Sequence, residues 1–148
     1  MPTVVIDADA CPRGAADTVR RLQPRYGYRV TTVASISHVI SDWGPWHERV
    51  VVGPEPQASD MAVANRSRPG DVVVTQDWGL AALALGRGCR AISPTGYTYR
   101  SETIDLLLEE RHVKAKVRRG GGRTRGPRAR TAEDEARFEA AFVAALTS

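Results

Sequence analysis

Val4-Val5-Ile6 followed by Asp7-Ala8-Asp9 is the feature that most limits what this chain can fold into. The β-branched run over 3–6 reads as a buried strand that ends in a loop. An acid directly after such a strand is not there to make a core. Two of them, one residue apart, bring like charges together at a partly desolvated edge, which raises a carboxylate pKa unless a cation compensates. A hard divalent ion supplies that charge, and oxygen ligands suit Mg²⁺ or Mn²⁺.

The rest of the chain alternates between the two periods. Pro12 opens a helix with Ala15, Ala16, Val19 and Leu22 inward and Arg13, Asp17, Arg20 and Arg21 outward; Pro24 and Gly27 end it. Strands follow over 29–34, 50–52, 72–75 and 90–92. Helices are expected over 59–65 and 80–85, and again from Ser101 with Ile104, Leu107 and Leu108 as its stripe. Gly120-Gly121-Gly122 interrupts the chain. A last helix at about 131–146 starts at a capping box, Thr131 with Asp134, and buries Phe138, Ala141, Phe142 and Ala145. This order predicts an α/β fold with a mainly parallel central sheet and helices on both faces. In such sheets the site lies outside the carboxyl ends of the strands. Asp77, after the fourth strand, reaches the same edge as Asp7 and Asp9. Asp60 sits in the first turn of its helix, where the dipole favours an anion.

Composition narrows the function classes. With 148 residues and 42% hydrophobic content, the chain suits one domain over 1–148. No apolar run approaches the roughly 20 residues of a membrane span. The N-terminus lacks the pattern of a signal peptide, so a cytoplasmic, non-membrane protein is expected. Cys11 and Cys89 form no CxxC, which speaks against structural zinc and a disulfide framework. The net charge of +4 is unevenly spread. Residues 111–130 hold nine of the 21 Arg and Lys and no acid, leaving twelve against seventeen acids elsewhere. A basic Gly/Arg-rich segment at 114–130 beside a mildly acidic body suits RNA or another nucleic acid as partner. Arg118, Arg119, Arg123 and Arg125 around the glycines, together with Arg13, are the candidate phosphate contacts.

Competing readings attach to several of these residues. Asp9 could form an N-cap or Asx-turn before Pro12, and Asp60 could serve the helix end alone. Asp71 follows Pro69-Gly70 and is expected to make only a turn. Cys11 at a helix N-terminus is discounted as a nucleophile because two carboxylates oppose its thiolate. His38, His47 and His112 lack ligand spacing and are expected in loops or facing solvent. Trp43 and Trp46 are expected to pack a loop rather than stack bases. Haloacid-dehalogenase phosphatases also begin with a strand and Asp-x-Asp. Their usual Thr or Val two residues later is Cys11 here, and Lys114 and Lys116 are the only lysines.

Val5-Ile-Asp-Ala-Asp-Ala-Cys-Pro12, Pro69-Gly-Asp-Val-Val-Val-Thr-Gln-Asp77 with Leu80-Ala81, and Ser93-Pro94 with Tyr99 resemble the YaiI/YqxD family, also known as DUF188 or UPF0178. Arg111-His112, Arg118-Arg119, Gly121-Gly-Arg-Thr124, Gly126-Pro127 and the stretch from Thr131 to Phe138 extend the resemblance over nearly the whole chain. It implies a PIN-like three-layer sandwich, related to metal-dependent ribonucleases. By that analogy Asp7, Asp60 and Asp77 are core ligands of Mg²⁺ or Mn²⁺ and Asp9 an accessory one, all four catalytic; apart from the analogy, Thr75 is expected to orient a ligand by hydrogen bonding. The expected activity is metal-assisted phosphodiester cleavage, with RNA as substrate. The alternatives are a non-enzymatic RNA- or nucleotide-binding module of the same fold, and the phosphatase above. Two departures from the family pattern stand out. Gln57 occupies a place that often holds an acid, which predicts a less acidic site. Ala129-Arg130 replaces the usual Pro-Phe before Thr131, which predicts a looser tail.

Overall fold

The computed structural model describes residues 2–38, 40–55, 57–102 and 129–148, of which Ser37 is described in its backbone only. Its core follows from strands too apolar to show either face to water. β1 (Thr3–Asp7) buries Val4, Val5 and Ile6 completely. Val4 and Ile6 point into one layer with Ala15, Val19, Phe138 and Phe142. Val5 points into the other with Val63, Val73, Leu80 and Ala81. Val72, Val73 and Val74 of β4 (Val72–Val74) divide the same way. Strands buried on both faces belong to parallel sheets covered by helices. β2 (Arg29–Ser35), β3 (His47–Val52) and β5 (Arg90–Ile92) complete a five-stranded sheet of order β3-β2-β1-β4-β5. Every pairing in it is parallel.

Helix α1 (Arg13–Tyr26) covers one face together with α4 (Ala132–Thr147). Helices α2 (Ala58–Arg66) and α3 (Trp78–Gly86) cover the other. The chain therefore folds as the expected α/β sandwich. Leaving β1 it moves outward through β2 and β3, then crosses back through α2 to β4. The sequence order reverses between β1 and β4, and a crevice opens there at the strands' carboxyl ends.

Several boundaries differ from the sequence reading for identifiable reasons. Asp7 is the last residue of β1 rather than the first of a loop, because pairing with β2 continues to Asp7 opposite Val33. Pro24 lies inside α1 instead of ending it; so near the end, its missing N–H costs one helical bond. Gly27, at φ +70, ends the helix by donating to the Gln23 carbonyl at 2.7 Å. β3 begins at His47, three residues early. The His47 side chain is wholly buried rather than exposed. Trp43 stacks on it at 4.5 Å, the Trp43 amide donates to its Nδ1, and its Nε2 lies 2.8 Å from Thr32 Oγ1. Trp43 and Trp46 pack against the core, as expected of a folded loop.

Asp71 does more than shape a turn. Its Oδ1 accepts from the Thr3 amide and its Oδ2 from the Arg68 amide, both at 3.0 Å, so it ties the start of β1 to the approach of β4. α4 carries the expected capping box between Thr131 and Asp134. Arg130 is an anchor rather than a loss of one: it bonds Glu135 and the Pro94 carbonyl and lies over the Phe138 ring. Ser101 and Glu102 are helical. Ile104, Leu107, Leu108, His112, the three glycines and nearly all of the basic segment lie outside the described residues. No helix of the described residues is long and apolar enough to cross a membrane.

Candidate functional site

The crevice between β1 and β4 is organised around Asp7. Only 5% of the residue is exposed, and its Oδ2 accepts from Thr75 Oγ1 at 3.1 Å. Thr75 follows β4 and is itself buried. Its amide donates to the Ile92 carbonyl, and its own carbonyl accepts from Tyr99 Oη at 3.1 Å. The same Thr75 hydroxyl accepts from the Asp77 amide at 3.0 Å. One threonine thus fixes Asp7 and the backbone of Asp77 together. Asp77 then caps α3, its Oδ1 accepting from the Leu80 amide at 3.0 Å.

Asp9 faces β2 and α2. It accepts from the Ser35 amide at 3.0 and 3.1 Å, from Ser35 Oγ and Ser59 Oγ at 3.2 Å, and lies 3.2 Å from His38 Nδ1. Asp60 stands in the first turn of α2, next to Ser59, and shares with Asp77 a hollow of about 330 Å³ between α2 and α3. The other three acids act on Asp7. Burial pushes the Asp7 carboxyl from its ordinary 3.8 up to about 6; the Thr75 hydrogen bond opposes this, and the charges of Asp60, Asp9 and Asp77 add to it. The structure therefore brings all four predicted acids to the carboxyl edge.

An all-oxygen donor set around a carboxylate that resists ionisation fits a hard divalent cation. Among the described residues, no three His, Cys, Asp or Glu side chains stand close enough to hold an ion as arranged. Asp9 directs its oxygens at amide and hydroxyl donors and Asp77 its Oδ1 at the Leu80 amide, and these atoms would have to be shared with a metal.

The family model described as "Uncharacterized BCR, YaiI/YqxD family" (DUF188) matches residues 5–148. The chain belongs to this family. UPF0178 proteins of Heliobacterium modesticaldum and Exiguobacterium sibiricum are 51% and 45% identical to it over 143 and 142 residues. The matches cover 97% and 96% of this chain and 95% and 94% of those relatives. A solved structure, Rae1 (YacP) from Bacillus subtilis, aligns with 94% of this chain and 91% of its own at 15% identity and a TM-score of 0.47. A likeness of that degree says nothing about activity.

In this family member the other predicted contacts fare differently. Arg13 is exposed at the start of α1, and no described hydrogen bond or ion pair joins it to the acids. Arg118, Arg119, Arg123 and Arg125 lie outside the described residues. Burial pushes the Cys11 thiol up to about 12, which leaves it no thiolate at neutral pH. Sequence reasoning missed Ser35, Ser59 and Tyr99. Ser59 could have been found, since it precedes Asp60 at a helix start. Neither Ser35 nor Tyr99, although the latter stands in the family motif, signals its place at the site, because strand register brings the first to the edge and the turn after β5 the second. Gln76 was missed as well; its Nε2 donates to the Ala10 carbonyl at 2.6 Å and clasps the two edge loops together.

Proposed function

We propose that this protein is a PIN-like, Mg²⁺- or Mn²⁺-dependent phosphodiesterase that cleaves RNA at the β1/β4 crevice. The observation that carries the reading is Asp7, a buried carboxylate among three other acids at a topological switch point. A structural carboxylate gains nothing from such neighbours, whereas a metal ligand does. Asp7, Asp60 and Asp77 would hold the ion, with Asp9 in support. A bound ion would supply Lewis acidity at the phosphoryl oxygen and a more acidic water. Thr75 keeps Asp7 Oδ2 in place, leaving Oδ1 available as a ligand or proton acceptor. Arg118, Arg119, Arg123 and Arg125 would draw in the phosphate backbone, and Arg13 would add a contact beside the edge.

The absence of a ready three-ligand group among the described residues favours one competitor, a module that binds RNA or nucleotide without turnover. Incubation with Mg²⁺ or Mn²⁺ and a panel of RNA, DNA and small phosphoesters, beside an Asp7→Asn control, separates the readings. Metal-dependent RNA cleavage that Asp7→Asn abolishes is the expected result. Binding without cleavage under every metal would select the module, and a phosphoenzyme trapped on Asp7 would select phosphatase chemistry.

A further inference from the structure

The acid edge has an aromatic neighbour that the reading above leaves unused. Trp78 follows Asp77 directly. Beyond β5 the chain makes a turn whose own bonds hold it. The Ser93 amide donates to the Tyr97 carbonyl at 2.8 Å and the Gly96 amide to the Ser93 carbonyl at 3.0 Å. Ser93 Oγ accepts from the amides of Thr95 and Tyr97 at 3.3 and 3.0 Å. Gly96, at φ +91, comes so near α4 that a Cβ there would lie 2.5 Å from the Arg137 carbonyl carbon. This pinned turn presents Tyr97, which is 42% exposed, edge-on to Tyr99 at 5.3 Å. Tyr99 bonds Thr75, and Thr75 bonds Asp7.

A pocket of about 360 Å³ is lined by Gln76, Trp78, Ser93, Thr95, Tyr97 and Tyr99. It shares Gln76, Thr95 and Tyr97 with a cleft of about 730 Å³ that reaches Pro12, Arg130 and Arg137. Both arginines of that cleft are already paired with acids, Arg130 with Glu135 and Arg137 with Asp134. The two guanidiniums are thus balanced in charge, although Arg130 Nη2 is buried with no hydrogen-bond partner among the described residues. The cleft's aromatic wall is what it offers.

We infer that this pocket seats one unpaired nucleobase of a single-stranded nucleic acid whose backbone runs past the Asp7/Asp77 edge. The inference rests on the reading of that edge as a phosphodiester site and adds that the substrate is single-stranded there. A base offers a flat π-face to Tyr97 and Trp78 and a polar edge to the Gln76 amide oxygen and the Thr95 hydroxyl. Stacking of this kind tolerates any base. A base inside a duplex has both faces covered and cannot enter. Because the nearby guanidiniums are neutralised, base seating contributes affinity that salt leaves nearly untouched, unlike contacts made by the basic segment.

The test is fluorescence anisotropy on the full chain in EDTA, which removes turnover. The probes are a short labelled oligoadenylate, an abasic oligomer of equal length, and the oligoadenylate annealed to its complement. Wild type should bind the oligoadenylate roughly tenfold more tightly than the abasic probe and the duplex. Tyr97→Ala should erase that preference without changing the salt slope, and Tyr97→Phe, which keeps the ring, should restore it. Equal affinity of wild type for base-bearing and abasic probes overturns the inference and depends on no variant. So does a preference that survives Tyr97→Ala. The two readings fail separately. Base preference without cleavage under any metal removes the phosphodiesterase and keeps the pocket; cleavage without base preference does the opposite.

Discussion

Asp7 concentrates the energetic cost of the site in one residue. Its carboxyl is raised from 3.8 to about 6, so between those pH values the native state holds more protons than the unfolded chain. Stability from this group is fully present below about pH 4 and is lost as pH rises through about 6. The difference amounts to about 3 kcal/mol at neutral pH. Asp7→Asn removes the charge while its amide oxygen can still accept from Thr75. Urea unfolding without metal should find the variant about 1–3 kcal/mol more stable at pH 7.5, with the gap closing towards pH 4. A variant less stable than wild type at pH 7.5 would mean that the carboxylate serves the fold. Thr75→Val provides the complementary test. It removes the hydrogen bond that lowers the Asp7 pKa and orphans the Asp77 amide. The pH at which stability falls should move upward, and stability itself should drop by about 1–3 kcal/mol.

At the level of elements, two devices serve structure and site together. Asp77 caps α3, so charge and cap can be separated by substitution. Asp77→Asn keeps an acceptor for the Leu80 amide and should leave thermal stability near wild type. Asp77→Ala should cost about 1 kcal/mol, and both should lose any Mn²⁺-induced rise in melting temperature. The corner from Trp43 to His47 packs around a buried imidazole. Burial lowers the His47 pKa, Asp42 opposes that, and Arg49 and Arg20 add to it. The unfolded chain therefore takes up a proton first, and this corner's contribution is lost as pH falls below about 6.5. A His47→Gln variant should lack that acid-side loss in unfolding experiments. This corner also marks where the sequence stops being legible. β1 and β4 announce themselves because both of their faces are apolar, and the acids at their ends follow. β3 is an edge strand carrying His47, Glu48 and Arg49, and its pattern holds no trace of the partners that bury the histidine. Asp7, Asp60 and Asp77 can be read from their places at element ends. Ser35, Tyr97 and Tyr99 cannot, because only parallel register and a pinned turn bring them to the same edge.

Taken whole, the molecule sets a mildly acidic body against a basic stretch of chain. Residues 111–130 carry nine positive charges, yet Arg130 is already engaged by Glu135 and the Pro94 carbonyl. Arg118, Arg119, Arg123 and Arg125 flank the glycines in sequence. Like charges interrupted by three glycines are costly to order alone, since the charges repel and glycine loses much backbone entropy. A phosphate backbone would neutralise them and release counterions, which makes binding steeply salt-dependent. Replacing Arg118, Arg119, Arg123 and Arg125 with Gln should therefore weaken RNA binding for every sequence. It should also flatten the plot of log affinity against log salt by about 0.7 for each phosphate that an arginine no longer neutralises. Binding of Mn²⁺ should hold, because the acids are elsewhere, and so should any preference for base-bearing over abasic probes. Anisotropy titrations at several salt concentrations read both quantities. Equal slopes for wild type and the quadruple variant would remove these arginines from the nucleic-acid surface. The affinity would then have to arise from the basic residues left in place, Arg13 among them, or at the crevice itself, where a metal and a stacked base would hold the phosphodiester against the negative charge of the acids.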